Sequence, residues 1–300
     1  MVALADLHRH LDGSLRPATL AELLGQAGLA APDDLLFHRG MGLAGALSRF
    51  TLTLSVLQRP AAVRRVADEM CVDAAADGVT TLEIRFAPQL HGQDGASIEA
   101  IIDAAIEGCA GRAGLLLCGL YGEPPAVLDG LVDAARSRPG VVGIDLAGSP
   151  SSGDSFALAV HAPAFRRAAD IGLGRTVHAG EGRPPGEIRT AIVELGAQRI
   201  GHGTTLLDDP SLVELVIERG VTVEACPTSN VHTGAIADVA DHPLPRWLEL
   251  GVRACVNTDN TLFSDTTSSA EHRRAAAIPG MDGERLARAI AYGHAAAFAR

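Results

Sequence analysis

His8 and His10 stand two residues apart in the stretch DLHRHLDGS, residues 6–14. The run before them, MVALADL, is apolar enough for a buried strand, and on a strand residues i and i+2 point to the same face. The spacing therefore turns two imidazoles to one side where a strand ends, and such a pair could share a metal ion. An edge strand with two solvated histidines satisfies the same spacing. Further along, TVHAGEG holds His178 and Glu181, with Gly180 turning the chain so that Glu181 can swing back toward whatever His178 binds. His202 lies in GHG, where the flanking glycines leave room for a ligand beside the ring. Asp259 follows the run ACVNT directly. A carboxylate there is costly to bury unless it is paired or coordinates a metal. Taken singly, each has an ordinary alternative: a satisfied core or surface histidine, or a structural Asp–Arg pair. Gathered at one place, they form a metal site with an acid/base group beside it.

The elements that must gather them are eight short apolar runs, at 2–8, 80–87, 114–121, 141–147, 174–179, 198–202, 221–226 and 253–257. Stretches with helical periodicity lie between most of them, among them 61–77, 97–111, 125–137 and 210–219. Short, near-continuous apolar strands point to a parallel sheet buried on both faces. Eight such βα units predict an α/β fold, a (β/α)₈ barrel. A doubly wound open sheet is the alternative, but no Gly-x-Gly-x-x-Gly follows the first strand. The ends of most strands carry the candidate residues, and barrels of this kind place their active sites on that face. About seventy residues separate the first two strands, more than one crossover helix needs. Segment 17–60 is predicted to form extra helices over the barrel mouth, as a lid or as a plain surface insertion.

Composition narrows the field. The chain has 300 residues, 47% of them hydrophobic, enough for one large core, and residues 1–300 read as a single domain without linker, repeat or low-complexity segment. No apolar run approaches the ~20 residues of a membrane span, and the start lacks the features of a signal peptide. The five cysteines are scattered and odd in number, without a Cys-x-x-Cys pair. Buried thiols in a reducing, cytoplasmic setting are the expectation. Net charge is −11 with no basic cluster, so no nucleic-acid footprint is present. All 25 basic residues are arginine, which excludes Schiff-base lysine chemistry, a P-loop lysine and a lysine-bridged two-metal centre. The composition does not fix an oligomeric state.

The fragments DLHRHLDGS, DLAG, TVHAGE, RIGHG, CPTSN and NTD occur in this order with barrel spacing. Together they resemble the adenosine deaminase family of the amidohydrolase superfamily, over residues 4 to 265. The resemblance implies one Zn²⁺ held by His8, His10, His178 and Asp259, with a position kept for water whose pKa the metal lowers toward ~7. It implies that His202 orients and deprotonates the nucleophile, and that Glu181, held protonated by burial, protonates the purine N1. Hydroxide addition at C6 and loss of ammonia would follow. Asp12 aligns with the acceptor of a ribose hydroxyl, Gly148 with a backbone donor to the purine N3.

The chain departs from the family at three points. Many members follow the metal aspartate with a second aspartate that donates to the purine N7. Here Asn260 stands in its place, and an amide donates without a shifted pKa. LAGSP replaces LAGDE, which puts the sugar side of the pocket, at 149–156, in question. The chain stops at AAAFAR, short of the terminal helix usual in the family. The cytidine-type zinc pattern, His-x-Glu with Pro-Cys-x-x-Cys, is absent, and Cys226 in Cys226-Pro227 is expected as a core residue before a turn. The expected activity is deamination of a 6-aminopurine nucleoside, adenosine or 2′-deoxyadenosine. Adenine or a 5′-modified adenosine such as aminodeoxyfutalosine is the alternative substrate, and a non-catalytic metal-bearing purine binder is the alternative of another class. His38, His91, His161, His232, His242, His272 and His294 are expected to be ordinary, with His232 nearest the mouth.

Overall fold

The computed structural model describes residues 2–150 and 157–298. Its strands are β1 (Leu4–His10), β2 (Val79–Phe86), β3 (Gly114–Leu120), β4 (Val141–Ala147), β5 (Gly174–Ala179), β6 (Arg199–His202), β7 (Thr222–Ala225) and β8 (Arg253–Val256). They pair in parallel in sequence order from β1 to β8. A parallel bridge between Arg9 and Asp259 joins the two ends of the series. There the His10 N–H donates to the Asp259 carbonyl at 2.8 Å, and the Asp259 N–H donates to the His8 carbonyl at 2.8 Å. The fold is the (β/α)₈ barrel that the alternation predicts.

The helices are α1 (Pro17–Gln26), α2 (Leu43–Val56), α3 (Pro60–Ala76), α4 (Ile98–Cys109), α5 (Pro125–Ala135), α6 (Ala162–Asp170), α7 (Gly186–Val193), α8 (Pro210–Arg219), α9 (Pro227–His232), α10 (Leu244–Leu250), α11 (Ser268–Ala276) and α12 (Gly283–Ala296). Local chemistry starts and stops them where expected. Proline opens α1, α3, α5 and α8, where its missing N–H has no helical partner to lose. Ser97, Asp209, Thr267 and Asp282 accept N–H groups of the first turns of α4, α8, α11 and α12. Gly220 and Gly251 end α8 and α10 in left-handed geometry.

β1 runs two residues further than its apolar stretch, so that His8 and His10 both lie within the strand. Its pairing with β2 slips between Asp6 and Arg9, a bulge of the kind that re-aims side chains beside a site. The three last strands are one or two residues shorter than their apolar runs. The long β1–β2 connection does form extra helices. α3 packs on β2 and α4 as the crossover proper, while α1 and α2 precede it, and α2 lays Leu43, Ala46, Leu47 and Phe50 along the mouth. At the opposite end α12 packs on β8 and β1, and Phe298 beyond it stacks its ring 3.7 Å from the Arg199 guanidinium. Gly143 and Gly174 make room for that ring; a Cβ on Gly174 would lie 2.1 Å from it. Among the described residues no helix is long and apolar enough to cross a membrane.

Candidate active site

The side chains of β1, β5 and the segment after β8 meet at the C-terminal mouth. His8 is fully buried and turns Nδ1 to Glu224 Oε2 on β7 at 2.7 Å. Its Nε2 has no hydrogen-bond partner and faces Asp259 Oδ1 at 3.6 Å. His10 Nε2 lies 3.2 Å from His178 Nε2 and 3.3 Å from the same Asp259 oxygen. His178 in turn holds Asp145 of β4 with Nδ1, at 3.0 Å from Oδ2. Four ligand atoms thus converge from positions far apart in the chain. A divalent ion with bonds of ~2.0–2.2 Å sets tetrahedral neighbours ~3.3–3.6 Å apart, close to the spacings here. His8, His10 and His178 form a cluster able to coordinate a metal ion, and so do His8, Cys226 and Asp259.

The electrostatics fit a cation. Burial lowers the His8 imidazole well below its ordinary range. Burial lowers His10 to about 4, against the opposing pull of Asp259. Neutral rings are what a metal requires of its histidines. Glu224 and Asp145 hold the Nδ1 protons, which leaves each Nε2 lone pair directed inward. Behind them lies a dry ionic network. Arg85 donates to Asp145 at 2.9 Å and to Glu224 at 2.8 Å, and Arg199 pairs with Glu83 and, at 2.7 Å, with Glu224. Arg85 and Arg199 pair with Glu83, Asp145 and Glu224, whereas among the described residues the buried Asp259 carboxylate has no arginine partner. A divalent cation held by the ligand cluster would offset that charge. Cys226 is core, as expected: burial pushes its thiol well up and keeps the proton on sulfur, so the Cys226 thiol is a poorer ligand than the neutral imidazoles.

Beside the ligand cluster, Glu181 places Oε2 3.7 Å from His202 Nε2, while its Oε1 is buried without a partner. Burial, and then the Asp259 charge, raises this carboxyl to about 7. His202 is lowered well below the usual histidine range, by burial first and then by His178. Both His202, with φ 68°, and Asp259, with φ 63°, hold left-handed backbone conformations. Such conformations are uncommon for residues with a Cβ and collect at functional sites.

The cavity over these groups is walled by Phe37, Leu43, Leu47 and Phe50, with Gly148, Ser229 and Asn260 at its edge. Phe50 stands 6.2 Å from His10 and 5.0 Å from Phe263, ring to ring. Asn260 is buried, its Oδ1 unpartnered and lodged against Gly13, where a Cβ would come within 1.8 Å of it. Asp12 lies in an adjoining chamber shared with His10, Phe50, Tyr121, Gly148 and Ser149. Its Oδ1 is likewise buried and unpartnered, and its Oδ2 is 3.8 Å from His91 Nε2. Of the candidate residues, all but the fully buried His8 line one or both of these two adjoining cavities, which share His10, Leu47, Phe50 and Gly148. Of the 149–156 loop, 151–156 lie outside the described residues.

Several groups here were not singled out. Glu224, Asp145 and Arg85 had a legible signal, each being a charged residue inside an apolar strand. His242 and His91 had none. His242 bonds Asn230, which bonds His202. His232, the histidine expected nearest the mouth, bonds Ser264 and stands 6.1 Å ring to ring from Phe37 of the cavity wall.

Comparison with known proteins agrees with this geometry. The adenosine deaminase family model matches residues 3–300. The chain is 38% identical over 304 residues to an adenosine deaminase of Mycolicibacterium vanbaalenii, covering 89% of this chain and 82% of that one. It is 37% identical over 317 residues to an adenosine deaminase of Mycobacterium tuberculosis, covering 94% and 86%. Among solved structures, an adenine deaminase from Arthrobacter aurescens superposes with a TM-score of 0.90 at 25% identity, covering 100% of this chain and 95% of that one. An N6-mAMP deaminase of Arabidopsis superposes with a TM-score of 0.88 at 26% identity, covering 100% and 94%. A match across the whole barrel, with a ligand cluster and a buried acid beneath its mouth, leaves one assignment: the chain belongs to the adenosine deaminase family of metal-dependent amidohydrolases, hydrolases that act on a C–N bond of a cyclic amidine.

Proposed function

We propose that this chain hydrolyses the 6-amino group of a purine nucleoside, adenosine or 2′-deoxyadenosine, giving inosine or 2′-deoxyinosine and ammonia, with one zinc ion held by His8, His10, His178 and Asp259. The observation that carries the reading is the juxtaposition of that ligand cluster with a buried carboxyl raised to about 7. When bound, zinc supplies hydroxide at neutral pH by lowering the pKa of water toward ~7.

The chain's own residues do the rest. Glu181, raised to about 7, is protonated in a large share of molecules at neutral pH, and that form donates its proton to N1, which makes C6 electrophilic. His202, beside Glu181, orients the oxygen that adds to C6. In this reading Asn260 offers an amide donor to N7 and the Gly148 backbone, which lines the cavity, is the donor to N3. The ring would lie against the apolar face of α2, where Leu43, Leu47 and Phe50 exclude water from the reacting face. Asp12, with an unpartnered oxygen in the adjoining chamber, suits a sugar hydroxyl donor. The same chamber holds no arginine among the described residues, which favours an uncharged nucleoside over a nucleotide.

Free adenine, or a 5′-modified adenosine, is the second reading. It is favoured by the likeness to the Arthrobacter adenine deaminase, but adenine would leave Asp12 without a partner. Ammonia release from the zinc-loaded protein across adenosine, 2′-deoxyadenosine, adenine and a 5′-modified adenosine decides between them. Turnover of the two nucleosides that stops on chelation is expected. Turnover of adenine alone overturns the nucleoside reading, and silence on all four overturns the purine assignment.

A further inference from the structure

A chain of four groups leads from the backbone of α10 to the cavity. The Leu244 N–H donates to His242 Nδ1 at 3.0 Å. His242 Nε2 lies 3.3 Å from Asn230 Oδ1. Asn230 Nδ2 lies 3.0 Å from His202 Nδ1. His202 Nε2 then faces Glu181 Oε2 at 3.7 Å in the cavity. Each of these side chains is buried.

The direction of every bond follows from the first. A backbone N–H can only donate, so His242 Nδ1 must be a bare acceptor. The His242 proton therefore sits on Nε2 and donates to the amide. That turns Asn230 with its oxygen toward His242 and its NH₂ toward His202. An NH₂ can only donate, so His202 Nδ1 must also be bare. A proton on Nδ1, whether in the other neutral tautomer or in the imidazolium, would set two donors face to face inside the barrel, at the cost of an unsatisfied buried pair. The amide cannot flip to relieve this, because its NH₂ would then meet the His242 N–H.

We propose that Asn230 and His242 are positioning residues that hold His202 as the Nε2–H tautomer, so that His202 meets the reaction as a hydrogen-bond donor to the attacking oxygen rather than as a vacant base. The consequence rests on the deaminase reading; the tautomer itself does not. In this form His202 aims an N–H at the oxygen that adds to C6 and at the charge that oxygen carries, the arrangement by which preorganised donors stabilise addition. The role that the family resemblance implies, removal of the water's proton, needs a lone pair on Nε2. The Leu244–His242–Asn230 chain denies it one.

The test reads the tautomer directly. Long-range proton–nitrogen correlation spectra of the zinc-loaded, ¹⁵N-histidine-labelled protein at neutral pH report which nitrogen carries hydrogen, with His202→Gln identifying the signal. A protonated Nε2 and a bare Nδ1 are expected; a protonated Nδ1 overturns the proposal. Asn230→Asp offers an acceptor in place of the donor, and is expected to move the proton to Nδ1. With it kcat should fall ~10²–10⁴-fold, the range seen when a catalytic histidine is held in the wrong tautomer, with KM changed less than ~3-fold. A switched tautomer with kcat within ~3-fold of the parent would show that the tautomer does not matter to the reaction. Should the Asn230→Asp protein fail to fold, the parent spectrum still decides the tautomer. If no purine is turned over, the spectrum stands by itself, so the failure of the deaminase reading and that of the tautomer are told apart.

Discussion

Glu181 illustrates how one side chain's environment sets its chemistry. A carboxyl on the surface is ionised at neutral pH and cannot donate a proton. Buried beside Asp259, it is raised to about 7. In the proposed mechanism the protonated form is the active one, so activity limited by this group should be full below that value and fall as pH rises through it. In Glu181→Gln the amide keeps the shape and loses the transferable proton. Its kcat should drop ~10²–10⁴-fold with zinc content unchanged by elemental analysis, and full activity would remove Glu181 from the mechanism. Asn260 plays a quieter part. Asn260→Ala should raise KM by ~10-fold, the worth of one hydrogen bond of ~1.4 kcal/mol, and leave metal content alone. Glu181 was legible in the sequence from its place after a strand-ending turn beside His178, and Asn260 through the family resemblance, where it replaces a second aspartate. His242 was not, because nothing near it in the chain distinguishes it from a surface histidine.

At the scale of elements, the mouth depends on how closely the backbone of one segment approaches the side chains of another. The turn after β1 passes over Asn260 without a Cβ at Gly13, where one would fall 1.8 Å from the amide oxygen. Gly13→Ala should therefore displace Asn260 and raise KM by ~10-fold while zinc still binds; an unchanged KM would show that the amide does not touch substrate. Leu244, at the start of α10, is linked to His202 of β6 through His242 and through Asn230 of α9. Burial holds the His242 imidazole at about 3, below its ordinary 6.5. As pH falls, the unfolded chain takes up this proton first, so the stabilising contribution is full above about 6.5 and is lost down toward 3, at up to ~1.4 kcal/mol per pH unit. Urea midpoints between pH 7 and 5 should fall more steeply for the parent than for His242→Gln. Equal slopes would contradict a neutral buried ring.

Across the whole molecule, the barrel interior carries an ionic lattice where most such folds carry hydrocarbon. Arg85 bridges Asp145 and Glu224, the two carboxylates that aim His178 and His8. Arg85→Met removes one cation and leaves two buried carboxylates to repel each other. It should cost ~3–5 kcal/mol in urea unfolding and weaken zinc binding ~10–100-fold in a chelator competition. An unaltered zinc affinity would show that the histidines need no such support. At the far end, Phe298 closes the barrel over Arg199 through space left by Gly143 and Gly174.

The sequence by itself determined the eight-strand alternation, the residue types at the strand ends and hence the donor set for a metal, since strand period and chain order are local properties. Only the tertiary structure decided what supports that set. Glu224 reaches His8 across 216 positions and Asp145 reaches His178 across 33. Asn230 stands in CPTSN, but its hydrogen bond to His202 exists only because β6 and α9 close on each other. Such contacts depend on distance through space and on which way a buried proton points, and neither quantity repeats along a chain.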